Sequence, residues 1–261
     1  MPGAHTECGF VAAVLAAPAA PATPNAAATH NLTPPLAFQA LRALQHRGSD
    51  TWGMATVECR TPDSVGVRVA AGLVPMQEAV PMQEKAMQEE GGDVSVGDVA
   101  LASFLGHVRY ATAGGKERML ADAHPVADGS VRGPFAVAFN GHIPPPVVSG
   151  AEGAGEGDIH HVVAFISAHP ARDWGAVMAD LVAEIPTAYS LVVLTPSGLW
   201  SVRDRYGYKP LVAGTVRDAG GAAVLHAVAS EGAAIVALAA GVGPTAVADV
   251  WALGPASAGW V

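Results

Sequence analysis

The chain alternates short apolar segments with polar or glycine-rich turns, and the period of each segment predicts its structure. Helices are predicted where apolar residues recur every three to four positions, and strands where short β-branched or aromatic runs end at turns. The predicted helices are 36–45, 158–168 and 173–184. The predicted strands are 10–15, 52–57, 65–71, 99–110, 135–140, 190–194, 200–203, 211–214, 224–229 and 247–253.

The order of these segments predicts the architecture. Helices occur at intervals among strands that tight turns join, as at 196–198. This order favours a layered α+β fold, with packed sheets and outer helices, over a doubly wound parallel sheet. Segment 16–35 is rich in Ala and Pro and is predicted to be a surface loop. The polar stretch between the strands 99–110 and 135–140 is also predicted to be a loop. Segment 76–91 repeats Met-Gln-Glu irregularly and predicts a short amphipathic helix or a solvated loop, with no function assigned.

Composition narrows the class of protein. The 261 residues are 51% hydrophobic and 14% charged, which is enough apolar material for one or two domains with a core. A net charge of −9 argues against binding to nucleic acid or to an anionic membrane. Two cysteines and the lack of any run of about 18 apolar residues predict a cytoplasmic protein whose partners are small molecules or proteins.

Cys8 has an unusual position, close to the start of the chain and directly before a predicted strand. Chain ends are mobile, so a core cysteine is not expected there. If residues 1–7 were removed, Cys8 would carry both a thiol and an α-amine with a pKa of about 7.7–8.0, and the amine could serve as the base for the thiol. The alternative is an inert buried cysteine.

Six segments resemble one family, and they occur in that family's order. They are 8–11 (CGFV), 44–50 (LQHRGSD), 106–114 (GHVRYATAG), 139–141 (FNG), 188–192 (AYSLV) and 202–211 (VRDRYGYKPL). Together they resemble the class II glutamine amidotransferases, which use an N-terminal cysteine nucleophile, and most closely the glutaminase domain of amidophosphoribosyltransferase. The resemblance implies a four-layer α/β/β/α N-terminal-nucleophile hydrolase sandwich. It also implies a short propeptide, 1–7, before an amidotransferase domain, 8–261. The sequence departs from amidophosphoribosyltransferase in having no strand followed by paired acids and a phosphate loop, so no phosphoribosyltransferase domain is predicted.

The resemblance implies how the amide bond is cleaved. Cys8 would attack the side-chain amide carbon of glutamine, form a γ-glutamyl thioester and release ammonia. The side chain of Asn140 and the backbone N–H of Gly141 would donate hydrogen bonds to the oxyanion. The alternative for Asn140 and Gly141 is an ordinary turn.

The resemblance also implies substrate ligands and a supporting loop. Arg109 would bind the α-carboxylate, Thr112 would add a contact from the same loop, and Asp158 would bind the α-amino group. The alternatives are a structural ion pair for Arg109 and a helix N-cap for Asp158. Beside the nucleophile, Arg47 would order the loop, and Gly48 would allow a close backbone approach.

Some residues depart from the family's pattern or have simpler roles. His142 is followed by isoleucine and three prolines where the family has another amide, so the rim of the pocket is predicted to differ. The residues around Asp158 also differ from the family's Ser-Asp-Thr-Glu. His107 is predicted to be a hydrogen-bonded core histidine. His160 and His161 face different sides of a helix, so no metal site is predicted, and no cofactor is expected.

The predicted function is a stand-alone glutaminase-type amidohydrolase that passes ammonia to a partner synthase. Its substrate would be glutamine or another γ-glutamyl amide, and neither nucleic acid nor membrane is expected as a partner. Two alternatives stay open. One is a γ-glutamyl amide hydrolase that acts on a biosynthetic intermediate, and the other is a non-catalytic scaffold subunit.

Overall fold

A computed structural model describes residues 8–16, 32–58, 67–72, 101–110, 116–143, 157–254 and 258–260. The predicted propeptide 1–7, most of segment 16–35 and segment 76–91 lie outside the described residues. Among the described residues, no helix has the length and apolar character needed to cross a bilayer.

The described residues form strands and helices whose bounds are as follows. The strands are β1 Gly9–Leu15, β2 Thr51–Glu58, β3 Val67–Gly72, β4 Leu101–Arg109, β5 Val126–Ser130, β6 Gly133–Gly141, β7 Tyr189–Thr195, β8 Gly198–Arg203, β9 Val212–Arg217, β10 Ala223–Ala229, β11 Val247–Ala252 and β12 Ala258–Trp260. The helices are α1 Pro34–Arg42, α2 Lys116–Ala121, α3 Asp158–Ala168, α4 Trp174–Glu184 and α5 Gly232–Val242, with a 3-10 turn, Gln45–Arg47, after α1.

The strands form two antiparallel sheets that pack face to face. The seven-stranded sheet has the order β11-β9-β10-β1-β4-β2-β3, and the five-stranded sheet has the order β12-β8-β7-β6-β5. Side chains such as Phe10 and Leu105 of the first sheet and Val192 of the second fill the space between them. Helices α1 and α5 cover the outer face of the larger sheet, and α3 and α4 cover that of the smaller. The predicted four-layer α/β/β/α sandwich is therefore confirmed.

Most predicted elements are present with shifted ends. The first helix starts at Pro34, because proline fits the first positions of a helix, and it ends at Arg42 before the 3-10 turn. Four elements were missed: α2, β5, α5 and β12. The polar stretch before residue 135 contains α2 and β5, although it was predicted to be a loop. Helix α5 was not predicted because it is apolar or glycine at every position and shows no amphipathic period.

Gly53 allows β2 to approach the backbone of His124, two residues before β5. A Cβ atom at Gly53 would lie 2.1 Å from the carbonyl oxygen of His124. No side chain fits at that distance. The glycine therefore lets a strand of the larger sheet contact the segment that leads into the smaller one.

We expect Gly53→Ala to lower the free energy of unfolding by about 1–3 kcal/mol, because the backbone of His124 has to move to admit the methyl group. Urea denaturation measures the change. The matched control is Gly129→Ala in β5, where a Cβ atom meets nothing within 4 Å. Equal unfolding free energies for the two variants would contradict the close approach.

Candidate active site

The backbone of Cys8 is held from both halves of the sandwich. Its carbonyl oxygen accepts a hydrogen bond from Arg47 Nε at 3.1 Å and another from Asn140 Nδ2 at 2.8 Å. Arg47 ends the 3-10 turn beside the larger sheet, and Asn140 lies in β6 of the smaller one. The two hydrogen bonds therefore fix the start of β1 between the sheets.

Glu231 holds Arg47 in this position. Its Oε1 accepts a hydrogen bond from Arg47 Nη1 at 2.6 Å, and its Oε2 lies 3.1 Å from His46 Nε2. Burial raises the pKa of Glu231, but the hydrogen bonds from Arg47 and His46 outweigh burial, and the net pKa is lowered. Glu231 therefore stays ionised as the counterion of Arg47.

The amide of Asn140 is oriented by two buried neighbours. Its Oδ1 lies 3.3 Å from His107 Nε2, and its Nδ2 lies 3.2 Å from Ser230 Oγ. Burial lowers the pKa of His107 to about 3, so the ring is neutral. An amide oxygen only accepts hydrogen bonds, so the ring hydrogen is on Nε2. The two Nδ2 hydrogens of Asn140 thus go to Ser230 and to the carbonyl oxygen of Cys8.

The thiol of Cys8 is partly buried and is not a disulfide partner. Burial raises its pKa, while the backbone N–H of Tyr110 and the charges of Arg109 and Arg47 oppose that rise. The net pKa lies above the ordinary thiol value of 9.0. At neutral pH the sulfur is therefore a thiol, and attack on an amide requires a base.

A cavity of about 590 Å³ opens beside Cys8. It brings together most of the residues predicted from the sequence and adds others. The lining residues are Cys8, Arg109, Tyr110, Asp122, His124, Phe139, Asn140, Gly141, His142, Gly157, Asp158, Ile159 and Lys209. Thr112 lies outside the described residues.

Arg47 and Gly48 do not line the cavity, but they contact two residues that do, Cys8 and Arg109. A Cβ atom at Gly48 would lie 2.6 Å from the carbonyl carbon of Arg109. Only glycine allows this approach. The loop predicted to support the nucleophile thus contacts Cys8 through Arg47 and the end of β4 through Gly48.

In the cavity, Arg109 has an ionic partner and Asp158 has a hydrogen-bond partner. Arg109 Nη2 lies 3.5 Å from Asp122 Oδ2, and Asp158 Oδ2 lies 3.0 Å from His142 Nδ1. The ion pair considered for Arg109 is thus present, and Nη1 of Arg109 is buried with no hydrogen-bond partner among the described residues. The N-cap alternative for Asp158 is wrong, because Gly157 is the N-cap and no side chain caps α3.

The sequence did not single out Asp122, His124, Ser230 or Glu231 for the site. Asp122 and His124 lie between α2 and β5, in the stretch predicted to be a loop. His124 Nδ1 accepts a hydrogen bond from the N–H of Phe139 at 3.3 Å, and its ring lies 4.4 Å from that of His107. Burial lowers the pKa of His124 well below its ordinary value, so this ring is also neutral.

Lys209 reaches the cavity from a loop whose shape Asp204 and Arg203 determine. The buried carboxylate of Asp204 accepts hydrogen bonds from the backbone N–H groups of Tyr189, Tyr206 and Gly207. The guanidinium of Arg203 donates to the carbonyl groups of Gly207, Lys209 and Leu253. Segment 202–211, quoted above for its resemblance, is therefore the signal that locates this side of the cavity.

No group of His, Cys, Asp and Glu side chains in the described part of the chain has the arrangement of a metal site. The two histidines at the start of α3 do not form one. His160 Nε2 instead lies 3.3 Å from Asp122 Oδ1.

Proteins similar in sequence are amidophosphoribosyltransferases. Amidophosphoribosyltransferase 2, chloroplastic, of Arabidopsis thaliana is 33% identical over 197 residues, which cover 72% of this chain and 32% of that protein. The amidophosphoribosyltransferase of Synechocystis is 30% identical over 193 residues, which cover 70% of this chain and 35% of that protein. The chain thus spans about a third of the length of these relatives. No protein-family model matches the chain.

Solved structures show the same fold. A glutamine phosphoribosylpyrophosphate amidotransferase from B. subtilis aligns with a TM-score of 0.67 and 19% identity, covering 95% of this chain and 46% of that chain. The fold is that of the N-terminal-nucleophile amidotransferases. The homologues of this chain are therefore amidophosphoribosyltransferases, which are class II glutamine amidotransferases, and the likeness covers about a third of their length.

We expect alkylation of Cys8 by iodoacetamide to be slow near neutral pH in the chain that carries residues 1–7. The rate should rise about tenfold per pH unit and continue to rise above pH 9.0, because burial raises the pKa of the thiol and only the thiolate reacts. Mass spectrometry of the tryptic peptide that contains Cys8 gives the rate. A plateau below pH 8 would show a thiolate that is already formed and would contradict the raised pKa.

Proposed function

We propose that the chain is a glutaminase-type amidohydrolase that cleaves a γ-glutamyl amide through a thioester on Cys8 and releases ammonia. One observation carries the proposal. Cys8, held by Arg47 and Asn140, borders a cavity whose other lining residues include a cation, Arg109, and an anion, Asp158. This set matches the reacting amide and the two charged α-groups of glutamine.

Removal of residues 1–7 would supply the missing base. The backbone nitrogen of Cys8 would become an α-amine with a pKa of about 7.7–8.0, below that of the buried thiol but close to neutral pH. The hydrogen bonds to the carbonyl oxygen hold this residue in place, so the amine and the thiol stay at the edge of the cavity. The amine would take the thiol proton and pass it to the departing ammonia.

The sulfur of Cys8 would attack the amide carbon, and the carbonyl oxygen would become an oxyanion. Asn140 Nδ2 and the N–H of Gly141 are the proposed donors to it. Because both Nδ2 hydrogens already have acceptors, Asn140 would exchange its bond to Ser230 or to the Cys8 carbonyl oxygen for one to the oxyanion. The C–N bond then breaks, ammonia leaves, and water hydrolyses the thioester to glutamate and free thiol.

Arg109 would bind the α-carboxylate of the substrate, Asp158 its α-ammonium group, and Thr112 would add a contact. Arg109 ends β4 and is backed by Gly48, so its position is tied to the same loop that holds Cys8. Asp158 starts α3 on the other side of the cavity. The two charges would orient the side-chain amide toward Cys8.

The ammonia would pass to a separate synthase in a proposed two-component system. A γ-glutamyl amide hydrolase that needs no synthase is the second candidate. It is favoured by the exposed His142 at the rim of the cavity, where the sequence departs from the family. The third candidate is a non-catalytic scaffold, which a chain that keeps residues 1–7 would favour.

The test is ammonia release from L-glutamine, measured together with the intact mass of the protein. We expect a chain that begins at Cys8 to release ammonia, and Cys8→Ala to reduce the release to the background rate, because no other group is proposed to form the thioester. Cys59→Ala removes the second cysteine of the sequence and is the matched control, with unchanged activity expected.

The other outcomes separate the candidates. Equal activity in Cys8→Ala and in the parent chain would contradict the proposed nucleophile. A processed chain that cleaves γ-glutamyl anilides but not L-glutamine would favour the hydrolase. A chain that keeps residues 1–7 and cleaves neither substrate would favour the scaffold.

A further inference from the structure

The two proposed ligands of the substrate head group are each paired with another side chain of the cavity. Asp122 presents a carboxylate to Arg109, and His142 presents an N–H donor to Asp158. These are the same two kinds of group, an acceptor for arginine and a donor for aspartate, that an α-amino acid brings. All four side chains line the same cavity.

We propose that Asp122 and His142 are specificity-determining residues, which compete with the substrate's α-carboxylate for Arg109 and with its α-ammonium group for Asp158. The inference rests on the proposed function, because that function assigns Arg109 and Asp158 as ligands. The α-carboxylate then meets Arg109 beside the competing carboxylate of Asp122, and the α-ammonium group replaces the hydrogen bond of His142 to Asp158. Each competing side chain lowers the affinity for the substrate below that of a cavity in which Arg109 and Asp158 had no such neighbour.

Asp122 is the stronger competitor, because contacts other than Arg109 also hold it. Its Oδ1 lies 3.3 Å from His160 Nε2. A Cβ atom at Gly157, the N-cap of α3, would lie 3.0 Å from the same oxygen, so the carboxylate sits beside a helix N-terminus, which favours a negative charge. The side chains of Arg109 and Asp122 are only 18% and 13% exposed, so solvent and salt screen this pair weakly.

His142 is the weaker competitor. Its side chain is 78% exposed, and solvent-exposed pairs of this kind contribute little. It follows Gly141 directly and can turn away from Asp158 without disturbing the core. Competition is therefore stronger for the α-carboxylate than for the α-ammonium group.

This asymmetry determines the class of substrate that the cavity tolerates. A γ-glutamyl amide whose α-carboxylate is masked as an ester or amide leaves the pair between Arg109 and Asp122 intact. It therefore loses less affinity than it would in a cavity whose arginine had no internal partner. The cavity should discriminate only weakly between free glutamine and γ-glutamyl amides with a masked α-carboxylate.

The experiment measures ligand affinity by titration calorimetry in the full chain carrying Cys8→Ala, which prevents cleavage. The ligands are L-glutamine, glutaramic acid, which lacks the α-amine, and 4-aminobutanamide, which lacks the α-carboxylate. The affinities are compared with those after Asp122→Asn and after His142→Asn, two changes that remove the competing group while keeping a side chain of similar size.

We expect Asp122→Asn to tighten binding of L-glutamine and glutaramic acid about fivefold, the upper range for such pairs, and to leave 4-aminobutanamide unchanged. His142→Asn should tighten the binding of L-glutamine and 4-aminobutanamide about twofold and leave the affinity for glutaramic acid unchanged. Asp180→Asn is the control. It removes a carboxylate that pairs with His169 outside the cavity lining, and it should change none of the affinities.

Weaker binding of L-glutamine after Asp122→Asn would overturn the inference, because Asp122 would then orient Arg109 rather than compete for it. A change in affinity that is equal for all three ligands, in either variant, would also overturn the inference. The titrations require no turnover. A chain that shows the expected pattern but releases no ammonia would uphold this inference and overturn the proposed reaction.

Discussion

The carbonyl oxygen of Cys8 accepts hydrogen bonds from two side chains that belong to opposite halves of the sandwich. Arg47 donates from the side of the larger sheet, and Asn140 donates from the smaller one. A strand end is normally free to fray. Here the two hydrogen bonds fix Cys8, and with it the sulfur, at the edge of the cavity. The other cavity residues can orient a substrate toward the sulfur only because Cys8 is fixed.

Adjacent residues at the start of α5 support both donors. Ser230 accepts a hydrogen bond from Asn140, and Glu231 is the ionised partner of Arg47. Ser230 also binds the backbone of Phe10, two residues beyond Cys8, through its N–H and its Oγ. One short segment thus fixes the strand that carries the thiol and the two side chains that hold its carbonyl oxygen. Substitution of either residue should displace Cys8, the proposed nucleophile, although neither residue lines the cavity.

Local pattern predicted much of the fold. Strand β1 and helix α3 follow from apolar period and turn residues, and the motifs around Cys8, Arg109 and Asn140 indicated which segments would meet. The ion pair between Arg109 and Asp122 has no local signal, because it depends on α2 and β5, which were predicted to be a loop. The partner of Arg47 was also missed, since Glu231 lies 184 residues away and only the antiparallel pairing of β1 with β10 brings it close.

The burial of Cys8 also determines the protonation state of its thiol. The thiol is partly buried, with Arg109 and Arg47 nearby, yet burial dominates and its pKa rises. A nucleophile in this setting depends on a base that comes with the residue itself, which an α-amine at Cys8 would provide. If Cys8 is the nucleophile, as proposed, its chemical competence depends on the state of the chain before it.

The most direct measurement is mass spectrometry of the N-terminal peptide after treatment with 6-diazo-5-oxo-L-norleucine, a glutamine analogue whose diazoketone carbon alkylates a nucleophile with loss of N₂. If Cys8 is the nucleophile of a glutamine site, the modified peptide will begin at Cys8, carry one analogue on its sulfur, and be protected by L-glutamine. An unmodified Cys8, or modification that L-glutamine does not slow, would contradict the central claim.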